Sequence, residues 1–126
     1  MPYTADIGRA RALEGTLVGN GQCVTFVRAV AATPSTSQWH QGELVKGSGQ
    51  LPPGTVIATF DANGSYGSRM DGTSHAAIYL RQDASGIWVL DQWHGNTTQP
   101  VHERLIRFKN GKGSKVNDGD QYYVVQ

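Results

Sequence analysis

Apolar positions recur at helical spacing in the first third of the chain and gather into short strand-like runs after it. Between Tyr3 and Leu17, the residues Ile7, Ala10, Leu13 and Leu17 share one face, which predicts a short helical segment. Gly19 and Gly21 interrupt that pattern. It resumes with Val24, Val27, Val30 and Ala31, joined by the i,i+4 pair Phe26 and Val30, and this is the strongest helix prediction in the chain. Asn20 is a favourable N-cap, which would place Gly21, Gln22 and Cys23 in the first turn. Pro34 disfavours helical geometry in the residue before it, so the helix is expected to end near Thr33. The polar stretch from Pro34 to Pro53 has room for a short helical turn around Trp39 to Val45.

From Leu51 onward the period changes. Leu-Pro-Pro-Gly (51–54) is a turn signal leading into Thr55–Phe60, a first predicted strand. A loop rich in Gly, Ser, Asp and Asn, Asp61–Ser74, carries Tyr66, Arg69 and Met70, and loops of this length in compact domains are often functional. Ser74–Arg81 and Ile87–Gln92 read as two strands joined by the Asp83–Gly86 hairpin turn. Val101–Phe108 and Tyr122–Val125 follow as further strands, separated by a Gly- and Lys-rich loop from Lys109 to Gly119. Helix first and then an antiparallel run of about five strands is an α+β pattern, in one domain spanning residues 1–126.

Composition narrows this picture. At 126 residues, 38% hydrophobic and 17% charged, the chain suits one folded domain with a real core. A net charge of +1 gives no electrostatic reason to expect nucleic acid or an anionic membrane as partner. No apolar run reaches membrane-spanning length, and the opening residues MPYTADIGRARALEG lack the apolar core of a secretory signal. The expectation is a protein made in the cytoplasm and leaving it only through a dedicated export machine. The one cysteine excludes an internal disulfide, and no Cys/His group has structural-zinc spacing, so neither metal nor cofactor is expected.

That cysteine is the candidate nucleophile. In the first turn of a helix, Cys23 lies over unpaired backbone N–H groups and the positive end of the helix dipole, both of which favour the thiolate. It needs a base, and His40, His75, His94 and His102 are available. His75 opens a strand beside the glycine-rich loop, where a side chain can face a cleft. His40 lies in polar loop sequence, His94 follows Trp93 at the end of a strand, and His102 resembles an exposed cross-strand partner of its neighbours. If the Asp83–Gly86 turn pairs its two strands, Ser74 and His75 come close to Asp91 and Gln92. A carboxylate ending the apolar run Trp-Val-Leu costs free energy unless it is paired, and His75 is a suitable partner. Asp91 either pairs in this way, fixing the tautomer and orientation of the imidazole, or ends its strand and caps a turn; spacing alone leaves both open. Gln92 points to the other face of a regular strand.

Taken in order, GQCVTFVR, SHAAIYL and WVLDQWHG resemble the motifs of the NlpC/P60 and CHAP groups of papain-like peptidoglycan amidases and peptidases. The Gln-Cys pair and the acidic residue followed by Gln are closest to CHAP domains, and LPPGTVIATF is similar to the turn and strand that precede the histidine loop. The resemblance implies a papain-like fold with the cysteine helix packed on the sheet. It implies Cys23 as nucleophile, His75 as base and Asp91 as orienting residue, with Gln92 an alternative third member. The backbone N–H of Cys23, with Gln22 beside it, would form the oxyanion hole. Apart from the resemblance, Trp39, Tyr66 and Trp93 are candidates for lining a substrate cleft, and each could equally belong to the core. One departure is Trp93, which stands where CHAP domains commonly carry Asn. Small stand-alone amidases of this kind also resemble the effectors of bacterial type VI secretion. That likeness implies a peptidoglycan peptide substrate and a cognate immunity protein. The loop Asp61–Ser74, with residue types common at interfaces, is either the rim of the substrate cleft and inhibitor site or an ordinary surface loop. A non-catalytic binding module on the same fold, or a cysteine deamidase or transferase acting on protein, are the alternative functions.

Overall fold

The computed structural model describes residues 2–69 and 71–126. Two helices, α1 (Ile7–Ala12) and α2 (Cys23–Val30), precede six strands: β1 (Gln41–Leu44), β2 (Val56–Thr59), β3 (Ala76–Asp83), β4 (Gly86–His94), β5 (Thr98–Arg107) and β6 (Tyr122–Val125). The strands form one antiparallel sheet in the order β1-β6-β2-β3-β4-β5. The α+β expectation holds, with six strands rather than five.

An eight-residue helix is too short to persist alone in water, so α2 exists because of what it buries. Phe26, Val27 and Val30 lie on the sheet side with Val56, Ala58, Ile78 and Leu90, and this layer is the larger core. Alternate residues of the same strands, Ile57, Ala77, Tyr79, Val89 and Val124, form a second core on the other face with Val45 and Tyr122. Burial on both faces explains the unbroken apolar runs Val56–Ala58 in β2 and Ala76–Leu80 in β3.

Four sequence expectations are corrected. Helix α2 begins at Cys23, not at Gly21, because Gly21 adopts φ +83° and the Asn20 side chain folds forward. That side chain accepts from the Gln22 N–H (3.0 Å) and the Thr25 hydroxyl (2.6 Å), making a turn ahead of the helix instead of capping it. The helix ends at Val30 rather than near Thr33, since Asp6 donates its N–H to the Val30 carbonyl and Ala31 is already extended. Leu17 is 40% exposed, off the face shared by Ile7, Ala10 and Leu13, because α1 stops at Ala12 and a turn follows.

The fourth concerns Trp39 to Val45, which form no helical turn. Only Thr36–Gln38 coil into a single 3₁₀ turn, and Gln41–Leu44 run as β1 along the edge of β6. His40 and Gln126 exchange backbone hydrogen bonds of 2.6 and 2.9 Å at the end of that pairing. The free edge of the C-terminal strand supplies these bonds, and tertiary pairing outweighs the weak local preference of Gln-Gly-Glu-Leu.

Candidate active site

The site lies where the start of α2 meets one end of β3 and β4. Gly21 permits this meeting: a Cβ there would stand 2.7 Å from the Cβ of His94, so the loop and the end of β4 approach closely only without one. Gln92, fully buried, ties the two elements together. Its carbonyl accepts from the Val18 N–H (2.7 Å), and its amide donates to the Val18 and Gln22 carbonyls (3.0 and 2.8 Å). Gln92 thus anchors the approach to Cys23 and makes no contact with His75 in the hydrogen-bond network.

Cys23, half-buried, is the first residue of α2, where backbone N–H groups have no intrahelical partner. His75 stands just ahead of β3, its backbone exchanging hydrogen bonds with the Thr59 side chain (3.1 Å) and main chain (3.0 Å). Its Nε2 lies 2.7 Å from Oδ2 of Asp91, which leaves Nδ1 for the thiol. The pairing of Ile78 with Leu90 in the β3–β4 hairpin sets this contact. Asp91, 0% exposed, is gripped from its other side by Arg104 of β5. The Arg104 Nε donates to Oδ1 (3.0 Å) and Oδ2 (2.8 Å), and its Nη2 lies 2.8 Å from Oδ2.

Charge runs through this row in alternation. Burial pushes the Cys23 thiol up, but the charge and hydrogen bond of His75, the Ala76 backbone N–H and the Tyr66 hydroxyl outweigh it, and the thiol sits below its ordinary value. Burial depresses the His75 imidazolium, yet the Cys23 thiolate and the Asp91 carboxylate raise it to about 9. Burial raises Asp91, and His75 and Arg104 more than reverse that, keeping it ionised. The arrangement favours a thiolate–imidazolium pair with a carboxylate behind the imidazole.

A cleft of about 280 Å³ opens over the thiol, bounded by Gln22, Cys23 and His75, by Trp93 to Thr97, and by Arg69 and Asn117. Trp93 lines it as expected, with its indole N–H donating to the Thr97 hydroxyl (2.9 Å) and the Arg104 guanidinium 4.9 Å from its ring. Gln22 also faces the cleft, its amide donating to the His94 carbonyl (3.1 Å).

Two expected cleft residues are elsewhere. Trp39 is 2% exposed, its indole bonded to the Pro34 carbonyl and its ring 5.0 Å from that of Tyr66; it is core, because an extended β1 turns it under the sheet. Tyr66 is also buried, so it forms neither cleft wall nor rim, and its hydroxyl instead lies 3.7 Å from the Cys23 sulfur. Of the other proposed rim residues, Arg69 borders the cleft and forms a two-pronged ion pair with Asp61 (2.8 and 2.6 Å). Met70 lies outside the described residues. Among the histidines, His40 is exposed beside β1, His94 borders the cleft with Nδ1 on the Thr98 hydroxyl, and His102 bonds locally near Gln99 and Pro100. Among the described residues no three His, Cys, Asp or Glu side chains cluster as a metal site, and no helix is long and apolar enough to cross a membrane.

Sequence reasoning missed Arg104. Val89 pairs with Arg104 and Ile87 with Ile106, so Arg104 stands in an inward row of β5, and an inward charge needs a partner. Counting back two residues from Ile106 was the signal that would have found it.

A helix-start cysteine, a buried histidine and a carboxylate thus lie together beside the cleft of an α+β scaffold. The profile of the domesticated amidase effector 2 family matches residues 4–125. A type VI secretion amidase effector 2 protein of Salmonella typhi is 43% identical over 138 aligned residues, covering 100% of both chains. A domesticated amidase effector 2 of Ixodes scapularis is 34% identical over 86% of this chain and 73% of that one. The solved structure of a type 6 secretion amidase effector 2 (Tae2) superposes with a TM-score of 0.78 at 36% identity, covering 94% of this chain and 91% of the other. The chain belongs to this amidase effector family.

Proposed function

We propose that the protein is an exported antibacterial amidase that hydrolyses amide bonds in peptidoglycan stem peptides, with residues 1–126 acting as one papain-like catalytic domain of the NlpC/P60 and CHAP kind. The observation that carries this reading is the row Cys23–His75–Asp91, in which Nε2 of the imidazole is held 2.7 Å from a buried carboxylate beside the thiol. Cys23 attacks the scissile carbonyl as thiolate. The oxyanion forms against the backbone N–H of Cys23 and the neighbouring Gln22 amide, and a donor of that kind is worth about 3 kcal/mol of barrier. His75, protonated, gives its proton to the leaving amine; it then takes one from water, which hydrolyses the thioester. Asp91 holds the ring in that orientation throughout.

Export through type VI secretion, the route for which two relatives are named, fits a protein whose target lies in another cell's wall. A cognate immunity protein would protect the producer by covering the cleft, with Arg69 on its border as a contact. Digestion of purified peptidoglycan, with the products resolved by mass spectrometry, tests the reaction. New peptide termini with the native protein and none with Cys23→Ala support it. An undigested wall after exposure to the folded native protein contradicts it, and turns attention to a protein substrate.

A further inference from the structure

We propose that Arg104 is a positioning residue of the reaction: its fork on Asp91 fixes the carboxylate that holds His75 against Cys23. The inference rests on the cysteine mechanism proposed above. Three observations carry it. First, Asp91 has no exposed surface, and Arg104 meets both of its oxygens, at 3.0 Å on Oδ1 and 2.8 Å on Oδ2. Second, Arg104 itself is held: its guanidinium lies 4.9 Å over the ring of Trp93, and its side chain keeps only 18% of its surface. Third, β5 places it across from Val89, in an inward row that otherwise holds Ile87 and Ile106. A cation in such a row is expensive unless it is paired, and here the pair is the carboxylate behind the imidazole.

Charge counting gives the consequence. With thiolate, imidazolium, carboxylate and guanidinium in a row, the buried site is neutral overall. Without the guanidinium the same site carries one net negative charge, and the cheapest relief is a proton on the sulfur. Arg104 therefore acts on the thiol through Asp91 and His75. The other groups facing the sulfur are the hydroxyls of Tyr66 and, farther off, Tyr122, with Arg69 and His94 at the cleft border. Tyr66 and Tyr122 stay protonated, burial raising both well beyond their ordinary values, so they do not titrate with the thiol.

The test is the rate of iodoacetamide alkylation of Cys23 against pH in wild type, Arg104→Gln and Arg104→Lys, each first checked for native circular dichroism. The single cysteine makes the readout unambiguous. The expected result is a titration midpoint about one pH unit higher in Arg104→Gln, a roughly ten-fold slower reaction on the acid side. Arg104→Lys, which keeps the charge and loses the fork, recovers at least half of that rise. An Arg104→Gln protein that titrates like wild type overturns the inference, as does an Arg104→Lys protein no better than it. Should Arg104→Gln fail to fold, proton NMR of the wild type decides. The Arg104 Nε proton is expected to resist solvent exchange together with His75 Nε2–H, and exchange at the rate of a free guanidinium overturns the inference. No wall substrate enters these measurements. A shifted midpoint in a protein inert toward peptidoglycan therefore refutes the proposed reaction and leaves the role of Arg104 standing.

Discussion

Replacing Asp91 by Asn keeps the shape of the side chain and removes its charge, which isolates what the carboxylate does. Asp91 is fully buried and faces Nε2 of His75 at 2.7 Å on one side and the Arg104 fork on the other. The Asn amide group must then turn its donors toward either a second donor on Arg104 or the N–H of His75. Removing one partner of a buried ion pair costs about 3–5 kcal/mol, and the partial exposure of Arg104 favours about 3 kcal/mol. In a domain of this size each kcal/mol moves the melting temperature by about 4 °C, so Asp91→Asn is expected to melt about 12 °C lower. Turnover on purified peptidoglycan falls by roughly two to four orders of magnitude, less than for Cys23→Ala or His75→Ala, because orienting carboxylates are less critical than nucleophile or base. Differential scanning calorimetry and wall-digestion assays on the same preparation read both effects. An Asp91→Asn protein with wild-type melting and turnover refutes the reasoning and removes Asp91 from the proposed mechanism.

Two further outcomes follow from the charges. Activity against pH should be bell-shaped: it rises as the thiol ionises below its ordinary value of about 8.5, and falls as the imidazolium that supplies the leaving-group proton is lost at about 9. Initial rates that still climb beyond pH 9.5 contradict the ion-pair assignment. Outside the cleft floor, Asp118 organises the loop after β5 by accepting from the N–H groups of Lys109 (2.8 Å), Gly111 (2.7 Å) and Asp120 (3.0 Å). Burial pushes this carboxyl up, but these donors prevail and hold it at about 2. A depressed carboxyl stabilises the fold above its unfolded value of about 3.9 and ceases to do so as pH falls toward 2. Asp118→Asn should therefore cost about 2 kcal/mol at pH 7 in urea unfolding, with the gap to wild type closing between about pH 4 and pH 2; a gap independent of pH contradicts the assignment.

What the sequence made legible was set by short-range rules. The Asp83–Gly86 turn pairs β3 with β4 and brings His75 near Asp91 and Gln92, but a one-residue register shift between Tyr79 and Arg81, which no local signal announces, decides that Asp91 is the one that meets it. The apolar stripe through Phe26, Val27 and Val30 places Cys23 at a helix start to within two residues. Less legible were positions decided by distant partners. β1 has no apolar pattern of its own and exists because β6, at the far end of the chain, offers an unpaired edge. Trp39 and Tyr66, aromatic rings in polar stretches, read equally as cleft wall or core; they pack with tilted rings inside the core and bring the Tyr66 hydroxyl to the sulfur. Arg104 was legible only by its two-residue spacing from Ile106, and its partner Asp91 shows only once β5 is laid against β4.

The proposed mechanism requires the one thiol to react as thiolate at a pH where a free cysteine is protonated. Alkylating the wild-type protein with iodoacetamide at pH 6, and following Cys23 modification by intact mass while peptidoglycan digestion is assayed on the same samples, tests it most directly. Rapid modification at that pH is expected, with residual activity falling in step with the unmodified fraction. A protein fully alkylated at Cys23 that still releases wall peptides would contradict it.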